Sequence, residues 1–161
     1  RTGGPDAPGN LLRRVDVTGP RTITVEGPDA HGRKLFIGIP YESSYTFSTF
    51  AIREGDSKGN AVTTGRLQLR RLTLNCSNTG FLHMYVTPKF RPTSTYTFTG
   101  RELGHGTNII GAIPLYTGTI NFPILSLNTQ VEVKVGSDSF LPFALVNASW
   151  EGFYNTRNAR V

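Results

Sequence analysis

Cys76 is the one cysteine in this 161-residue chain. A lone cysteine closes no internal disulfide, so the fold must hold by packing alone. It also excludes cysteine-built zinc sites and iron–sulfur clusters. Helix signals are nearly missing: Ala and Glu are sparse, and no window sets apolar residues at i, i+3, i+4 and i+7 over three turns. No run approaches the roughly 18 to 20 apolar residues that a membrane-spanning helix needs. Charge is low, with Asp, Glu, Lys and Arg at 17% of residues, while 10 Phe, 6 Tyr and 1 Trp supply apolar surface for a core, which argues against disorder. The chain opens at Arg1 without methionine and without a secretory pattern, and the expectation is a piece of something longer.

What is abundant is turn chemistry and alternation. Gly occupies 18 positions and Pro 10, and they bound short period-2 runs. Nine strands are predicted, over residues 22–26, 34–39, 45–52, 66–76, 81–87, 95–99, 117–122, 130–135 and 145–154, with a hairpin turn at 27–32. This spacing predicts an all-β fold, an antiparallel β-sandwich or barrel-like domain with almost no helix. Residues 1–10 read as a linker or arm. The expected division is an N-terminal arm with the first hairpin strand over 1–35, and a platform-like β-sandwich over 36–161. One compact domain is expected in all. No internal repeat of 20 to 50 residues is visible, which counts against a propeller within this piece.

Two predicted strands change phase partway. Tyr45 and Phe47 share a face, but Phe50 and Ile52 have the opposite parity. Leu67 and Leu69 share a face, and Leu72, Leu74 and Cys76 then switch. A β-bulge near Ser48–Thr49 and another at Arg70–Arg71 would restore one buried face in each. The alternative is a strand covered on both sides, as at a subunit interface. Under either reading Arg70 or Arg71 points outward.

Chemical motifs are few. Gly55-Asp-Ser-Lys-Gly59 has the form G-x-S-x-G, but a nucleophile elbow needs a buried strand before it and a helix after it. Asn60-Ala-Val-Thr-Thr follows instead, and a polar hairpin loop accounts for these residues. His31, His83 and His105 share no metal-binding spacing, and His83 reads as a packing residue on one face with Phe81 and Tyr85. Gly104-His-Gly106 is followed by Gly111, too late for a phosphate cradle. Cys76, alternating with Leu72 and Leu74, reads as a small buried hydrophobe. Asn75-Cys-Ser77 and Asn147-Ala-Ser149 fit the glycosylation pattern and read as chance. No catalytic, cofactor-binding or metal-ligating set emerges, and no enzyme is expected.

Net charge is +6, from scattered pairs: Arg13–Arg14, Arg33–Lys34, Arg70–Arg71, Lys89 with Arg91, and Arg157 with Arg160. From Phe36 onward several stretches occur in one order. Gly38-Ile-Pro-Tyr41 leads to Tyr45-Thr-Phe-Ser, then to Thr64-Gly-Arg-Leu-Gln-Leu-Arg-Arg-Leu-Thr-Leu-Asn75 and Asn78-Thr-Gly80. Tyr96-Thr-Phe-Thr-Gly-Arg101 with Leu103-Gly104 comes next, followed by Thr117-Gly-Thr-Ile-Asn-Phe-Pro123 and the closing Trp150-Glu-Gly-Phe-Tyr154. In these stretches the chain resembles the C-terminal part of the tail tubular protein B, or tail nozzle protein, family of short-tailed bacteriophages. Residues 1–35 match little, and Cys76 stands where an aromatic is expected.

The resemblance implies a structural virion protein, part of a tail tube or nozzle. Copies would assemble as a hexameric ring beneath the portal and adaptor rings, near the tail fibres, and conduct DNA into the host. It implies a place in the virion tail after synthesis in the bacterial cytoplasm, no cofactor, and no membrane insertion by this segment. DNA enters only as transiting cargo. A tube lining should not grip DNA, because each phosphate neutralised by Lys or Arg adds salt-sensitive affinity. Arg66, Arg70, Arg71, Lys89, Arg91 and Arg101 are therefore expected to contact protein, facing outward or toward neighbouring rings. The planar guanidinium fork suits partner carboxylates.

The alternative is an isolated β-sandwich module that binds carbohydrate or nucleic acid through Tyr85, Tyr96, Tyr116 and Tyr154. Exposed tyrosine faces in a groove would favour it, and buried ones the structural reading. Glycan hydrolysis is weaker still, with 11 Asp+Glu and Asp6, Asp29, Asp56 and Asp138 in predicted turns. Trp150 and Phe153 are expected to anchor the last strand in the core.

Overall fold

The computed structural model describes residues 13–20, 22–26, 38–39, 41–55, 59–62, 64–101, 104, 106 and 113–156. Nine strands lie among them: β1 (Arg13–Gly19), β2 (Thr22–Glu26), β3 (Ser43–Thr46), β4 (Gly65–Thr79), β5 (Leu82–Pro88), β6 (Ser94–Phe98), β7 (Tyr116–Leu127), β8 (Val131–Ser137) and β9 (Leu145–Thr156). A single 3₁₀ turn, Asn128–Gln130, joins β7 to β8. Among the described residues no helix is long and apolar enough to cross a membrane.

Strands β1 and β2 pair as a hairpin, β3-β8-β5-β6 form a four-stranded sheet, and β7-β4-β9 form a three-stranded one. Every pairing is antiparallel. Alternation builds the two layers. Leu82, Met84 and Val86 of β5 and Val133 and Val135 of β8 point inward from one sheet. Leu67, Leu69, Leu72, Leu74 and Cys76 of β4, with Phe122 and Ile124 of β7, point inward from the other, and together they form one buried cluster. The predicted all-β antiparallel sandwich is what the chain adopts.

The phase change in β4 is a bulge at Arg70. From Leu69 to Leu72 β4 advances three residues, while β9 advances two (Gly152 to Trp150) and β7 four (Ser126 to Phe122). Each strand across this sheet is thus one residue longer than the next at the same place, which bends and twists it locally. Arg70 and Arg71 both end up exposed, and Leu72 returns to the core.

The phase change at Ser48–Thr49 has a different cause. β3 ends at Thr46, so the predicted strand over 45–52 is cut short. The Phe47 N–H still donates to the Val133 carbonyl at 2.9 Å, and the chain then leaves the sheet. Phe47, Phe50 and Ile52 all pack on the core from this crossing segment. Phe50 lies 5.9 Å from Phe47 and 6.1 Å from Trp150, ring centroid to ring centroid.

Three further expectations shift. β1 went unpredicted, since only Val15 and Val17 alternate with polar neighbours in it, and one of those, Asp16, is of a type depleted in strands. The arm at 1–10, the turn at 27–32 and most of the strand at 34–39 lie outside the described residues; Gly38 and Ile39 are described and belong to no strand. Phe153 is not a core residue but 57% exposed. The inward row of β9 is Trp150, Gly152 and Tyr154, opposite Leu72, Leu69 and Leu67, so Phe153 falls on the other parity. Gly152 is needed in that row, because a Cβ there would sit 2.6 Å from the Gln68 carbonyl oxygen.

These placements order the energetics. Leu72→Ala, at a site with no solvent exposure, is expected to cost about 2–5 kcal/mol. Phe153→Ala, losing mainly its contact with Arg70, is expected to cost about 0.5–1 kcal/mol. Urea unfolding followed by Trp150 fluorescence measures both. Equal costs would overturn the assignment of faces.

Candidate functional site

The bulge in β4 creates the most chemically distinctive surface of the sandwich. Arg70 and Arg71 stand side by side on its outer face. The Arg71 Nε donates to the Glu151 carboxylate of β9, and the Arg70 guanidinium carbon lies 5.7 Å from the Phe153 ring centroid. On the other flank is Leu125, the extra residue of β7, with φ of 50° and 60% exposure. A leucine in the left-handed region is uncommon and costs roughly 1–2 kcal/mol. The Arg91 Nη2 donates to the Leu125 carbonyl at 3.2 Å, tying the turn between β5 and β6 to this corner. Arg70, Arg71, Asn121, Phe122, Pro123 and Leu125 line a shallow depression of about 270 Å³.

Of the six basic residues picked from sequence, Arg70, Arg71 and Arg91 therefore meet around Leu125. Lys89 shares the Arg91 turn, its N–H bonded to the Gln130 carbonyl at 2.8 Å and its ammonium 5.7 Å from the Phe90 ring centroid. Arg66 lies earlier on β4, opposite Asn155, and Arg101 follows Gly100 beyond the far end of β6; neither lines the depression. Sequence reasoning missed Leu125, Phe90, Phe153 and Glu151. The only available signal was the run Phe122-Pro-Ile-Leu125, too apolar for simple alternation.

The other candidates from sequence are taken up by packing. Cys76 is buried, and desolvation pushes its thiol above the usual range, against a weaker lowering by Thr79. His83 packs 4.7 Å from Phe81 and 5.8 Å from Tyr85 between ring centroids, with Nδ1 3.0 Å from Thr97 Oγ1. Asn75 and Asn147 sit opposite each other in β4 and β9: Asn75 Nδ2 donates to Asn147 Oδ1, and Thr119 Oγ1 to Asn75 Oδ1, both at 2.6 Å. Such asparagines belong to a ladder, not to an acceptor loop. The Gly55–Gly59 segment is a hairpin, closed by Glu54 N–H to the Asn60 carbonyl and Val62 N–H to the Ile52 carbonyl; its tip, 56–58, and His31 and His105 lie outside the described residues. Tyr116 is buried at 7% exposure, and Tyr85, Tyr96 and Tyr154 are half-buried, so these four build no open stacking platform.

Among the described residues, two exposed ion pairs shift the pKa values of Glu42, Lys134 and Glu151. A hydrogen bond and the charge of Lys134, 2.8 Å away, lower the Glu42 pKa, and the Arg71 hydrogen bond lowers that of Glu151. Both carboxylates fall below their ordinary 4.5, so what these pairs add is complete above that pH and is lost as pH falls through the lowered values. Hydrogen bonding to Glu42 raises Lys134 above 10.5, so its share is complete below that pH and is lost as pH rises through the raised value. Glu151→Gln is expected to lower the neutral plateau of Tm slightly and to flatten its acid limb below pH 4.5, so that variant and wild type converge at low pH. In the native protein Cys76 is expected to resist iodoacetamide at pH 8, and to react fully in urea, as read by intact mass.

The bacteriophage nozzle protein family matches residues 5–161, reaching well into the segment that carries none of the recognisable stretches. The tail tubular protein gp12 of Escherichia phage T7 is 33% identical over 132 residues, covering 81% of this chain and 16% of that protein. The chain thus spans less than a fifth of the length of the curated relative it matches. With the family matched along nearly the whole chain, on an all-β sandwich, this protein belongs to the bacteriophage nozzle protein family.

Proposed function

We propose that this chain is a structural segment of a phage tail nozzle, one of several identical copies set in a ring around the path of the DNA. It works by contact and breaks no bond. The observation that carries this reading is the family match over residues 5–161. The sandwich over 36–161 is the platform-like part of the proposal, joined to an N-terminal arm over 1–35. Its partners would be neighbouring copies, the portal and adaptor rings and the tail fibres, in a virion tail put together in the bacterial cytoplasm.

Residue chemistry supports contact over catalysis. The cysteine is buried and protonated at neutral pH, the described histidine is packed, and three exposed guanidinium groups, of Arg70, Arg71 and Arg91, meet at one corner. That corner holds Arg70, Arg71 and Arg91, which offer bidentate forks for partner carboxylates. Lys89 beside them, and Arg66 and Arg101 apart from them, complete the proposed contact set. All six would face away from the DNA path, where phosphate binding would retard transit.

Phage carrying Arg70→Glu with Arg71→Glu in the full-length protein test the reading. Expected is a loss of that protein from purified virions by at least about tenfold, since reversing buried contact charges weakens association by that much or more. Quantitative mass spectrometry of the particles reads it. Incorporation at the wild-type level would overturn the contact assignment. Absence of the protein from wild-type virions would overturn the nozzle reading itself.

A further inference from the structure

The corner around Leu125 already seats a carboxylate. Glu151 of β9 accepts from the Arg71 Nε in the open, with both side chains about half exposed. The neighbouring cations are less engaged. Arg70 lies against the Phe153 ring, and Arg91 commits one N–H to the Leu125 carbonyl, so both keep donors for a further acceptor. Lys89 adds a fourth cation from the Arg91 turn. Among the described residues, the contacts around these four cations include one carboxylate, Glu151. Apolar groups stand between the charges: Phe122, Pro123 and Leu125 line the depression beside Arg70 and Arg71, and Leu125, Phe90 and Phe153 are exposed.

We infer that this corner takes an extended acidic segment of a different protein, in which apolar residues lie among the carboxylates. This rests on the contact reading proposed above and names the chemistry of the partner. Charge complementarity selects an acid, and the Arg71–Glu151 pair shows a carboxylate held on this very surface. An extended chain sets every second side chain on one side, roughly 6.6 Å apart. The order acid-x-apolar-x-acid therefore presents both kinds of group to one surface, as the corner itself mixes cations with apolar side chains.

The corner is built in advance. Arg91 N–H donates to the Pro88 carbonyl at 3.3 Å and Lys89 N–H to the Gln130 carbonyl at 2.8 Å, so the turn that carries two of the cations is fixed. A surface held this way loses little freedom on binding. Other occupants fit less well. A second copy carries the same net charge of +6, and its Glu42, Asp138 and Glu151 already face Lys134, His83 and Arg71. A nucleic acid is charged without a break along its backbone, so its phosphates would meet Glu151 inside the patch. A cation also lies beside each exposed ring, Lys89 by Phe90 and Arg70 by Phe153, where a base would stack.

The test uses the 161-residue chain and a fluorescein-labelled peptide, Glu-Ser-Leu-Ser-Glu-Ser-Leu-Ser-Glu, amidated at its end, with binding read by anisotropy. Binding is expected, and it should weaken as salt rises. Peptides with every Leu replaced by Ser, or every Glu by Gln, are each expected to bind at least about tenfold more weakly. The variant R70A/R91A is expected to lose about tenfold as well, whereas R66A/R101A, which removes the same charge elsewhere, should bind like the wild type. E151Q should bind more tightly, because Arg71 then has open donors and the patch has lost its negative charge. All substituted residues are exposed, and urea midpoints close to the wild type verify folding.

A wild-type chain that binds none of these peptides overturns the inference. So does R66A/R101A weakening binding as much as R70A/R91A, which would reduce the effect to net charge. Tighter binding of a short single-stranded oligothymidine than of the peptide would assign the corner to nucleic acid and overturn it as well. Self-association of the chain that R70A/R91A abolishes would assign it to a second copy, with the same result. Failure in the peptide assay, with Arg70→Glu and Arg71→Glu still depleting the protein from virions, would sink this inference alone. Wild-type virions lacking the protein would sink the reading beneath it.

Discussion

Register in β4 is the constraint on which the rest of the sandwich depends. This strand is bonded to β7 on one side and β9 on the other, and its inward row of Leu67, Leu69, Leu72, Leu74 and Cys76 forms much of the buried cluster. A one-residue slip would turn every one of these side chains to solvent and bury Thr73 and Asn75 in their place. The bulge at Arg70 is where the strand absorbs the change of parity within its leucine row; a second shift, past Cys76, brings Thr79 back to the buried side. Because β7 and β9 take four and two residues over the same interval as three in β4, the irregularity cannot relax by sliding any single strand. The surface that results, with two adjacent arginines and an outward leucine, is a by-product of keeping the leucines inside.

The outer face of that same sheet shows what the corner is not. Along it Thr119, Asn75 and Asn147 bond across three strands, and Thr73 Oγ1 donates to Asn121 Oδ1 at 2.7 Å. These polar groups satisfy one another, so a partner laid on them would gain little by replacing bonds already made. At the corner the balance differs. Arg70 is engaged by a ring face and Arg91 by one backbone carbonyl, which leaves donors on both guanidinium groups for a further acceptor. Donors left open to a partner are therefore found where the ladder is interrupted.

Much of this was legible in the sequence, and the failures share a cause. Leucine alternation with its single break located β4 and its bulge, and alternation likewise placed β5 through β8. Asn75 and Asn147 resembled acceptor sites only because the pattern ignores that both lie in paired strands. Phe47 and Phe50 suggested a second bulge because parity cannot tell a bulged strand from a chain that leaves the sheet with its aromatics still pointing inward. Phe153 was placed inside although it stands three residues from Trp150, a separation that no regular strand puts on one face. The corner was half visible: Arg70 and Arg71 follow from the bulge. Arg91 joins them only because a turn docks on β7, and the left-handed Leu125 follows from a length difference between neighbouring strands. Both are tertiary facts with no local signature.

The mixture of groups at the corner bears on what a docking there can do. Exposed charges at physiological ionic strength act over a Debye length of about 8 Å and contribute little net affinity singly. Their use is in choosing which surface approaches and in which orientation. Burial of Leu125, Phe90 and Phe153, all exposed here, would supply the attraction that is not screened by salt. A contact built this way is individually weak, yet in a closed ring each copy is held by its neighbours at the same time. Losing it then leaves the copy tethered by them at high effective concentration, so closure turns a modest pairwise affinity into a lasting assembly. In such a ring the strain at Leu125 would be incurred once per copy, and the apolar contact it presents would be made once per copy as well.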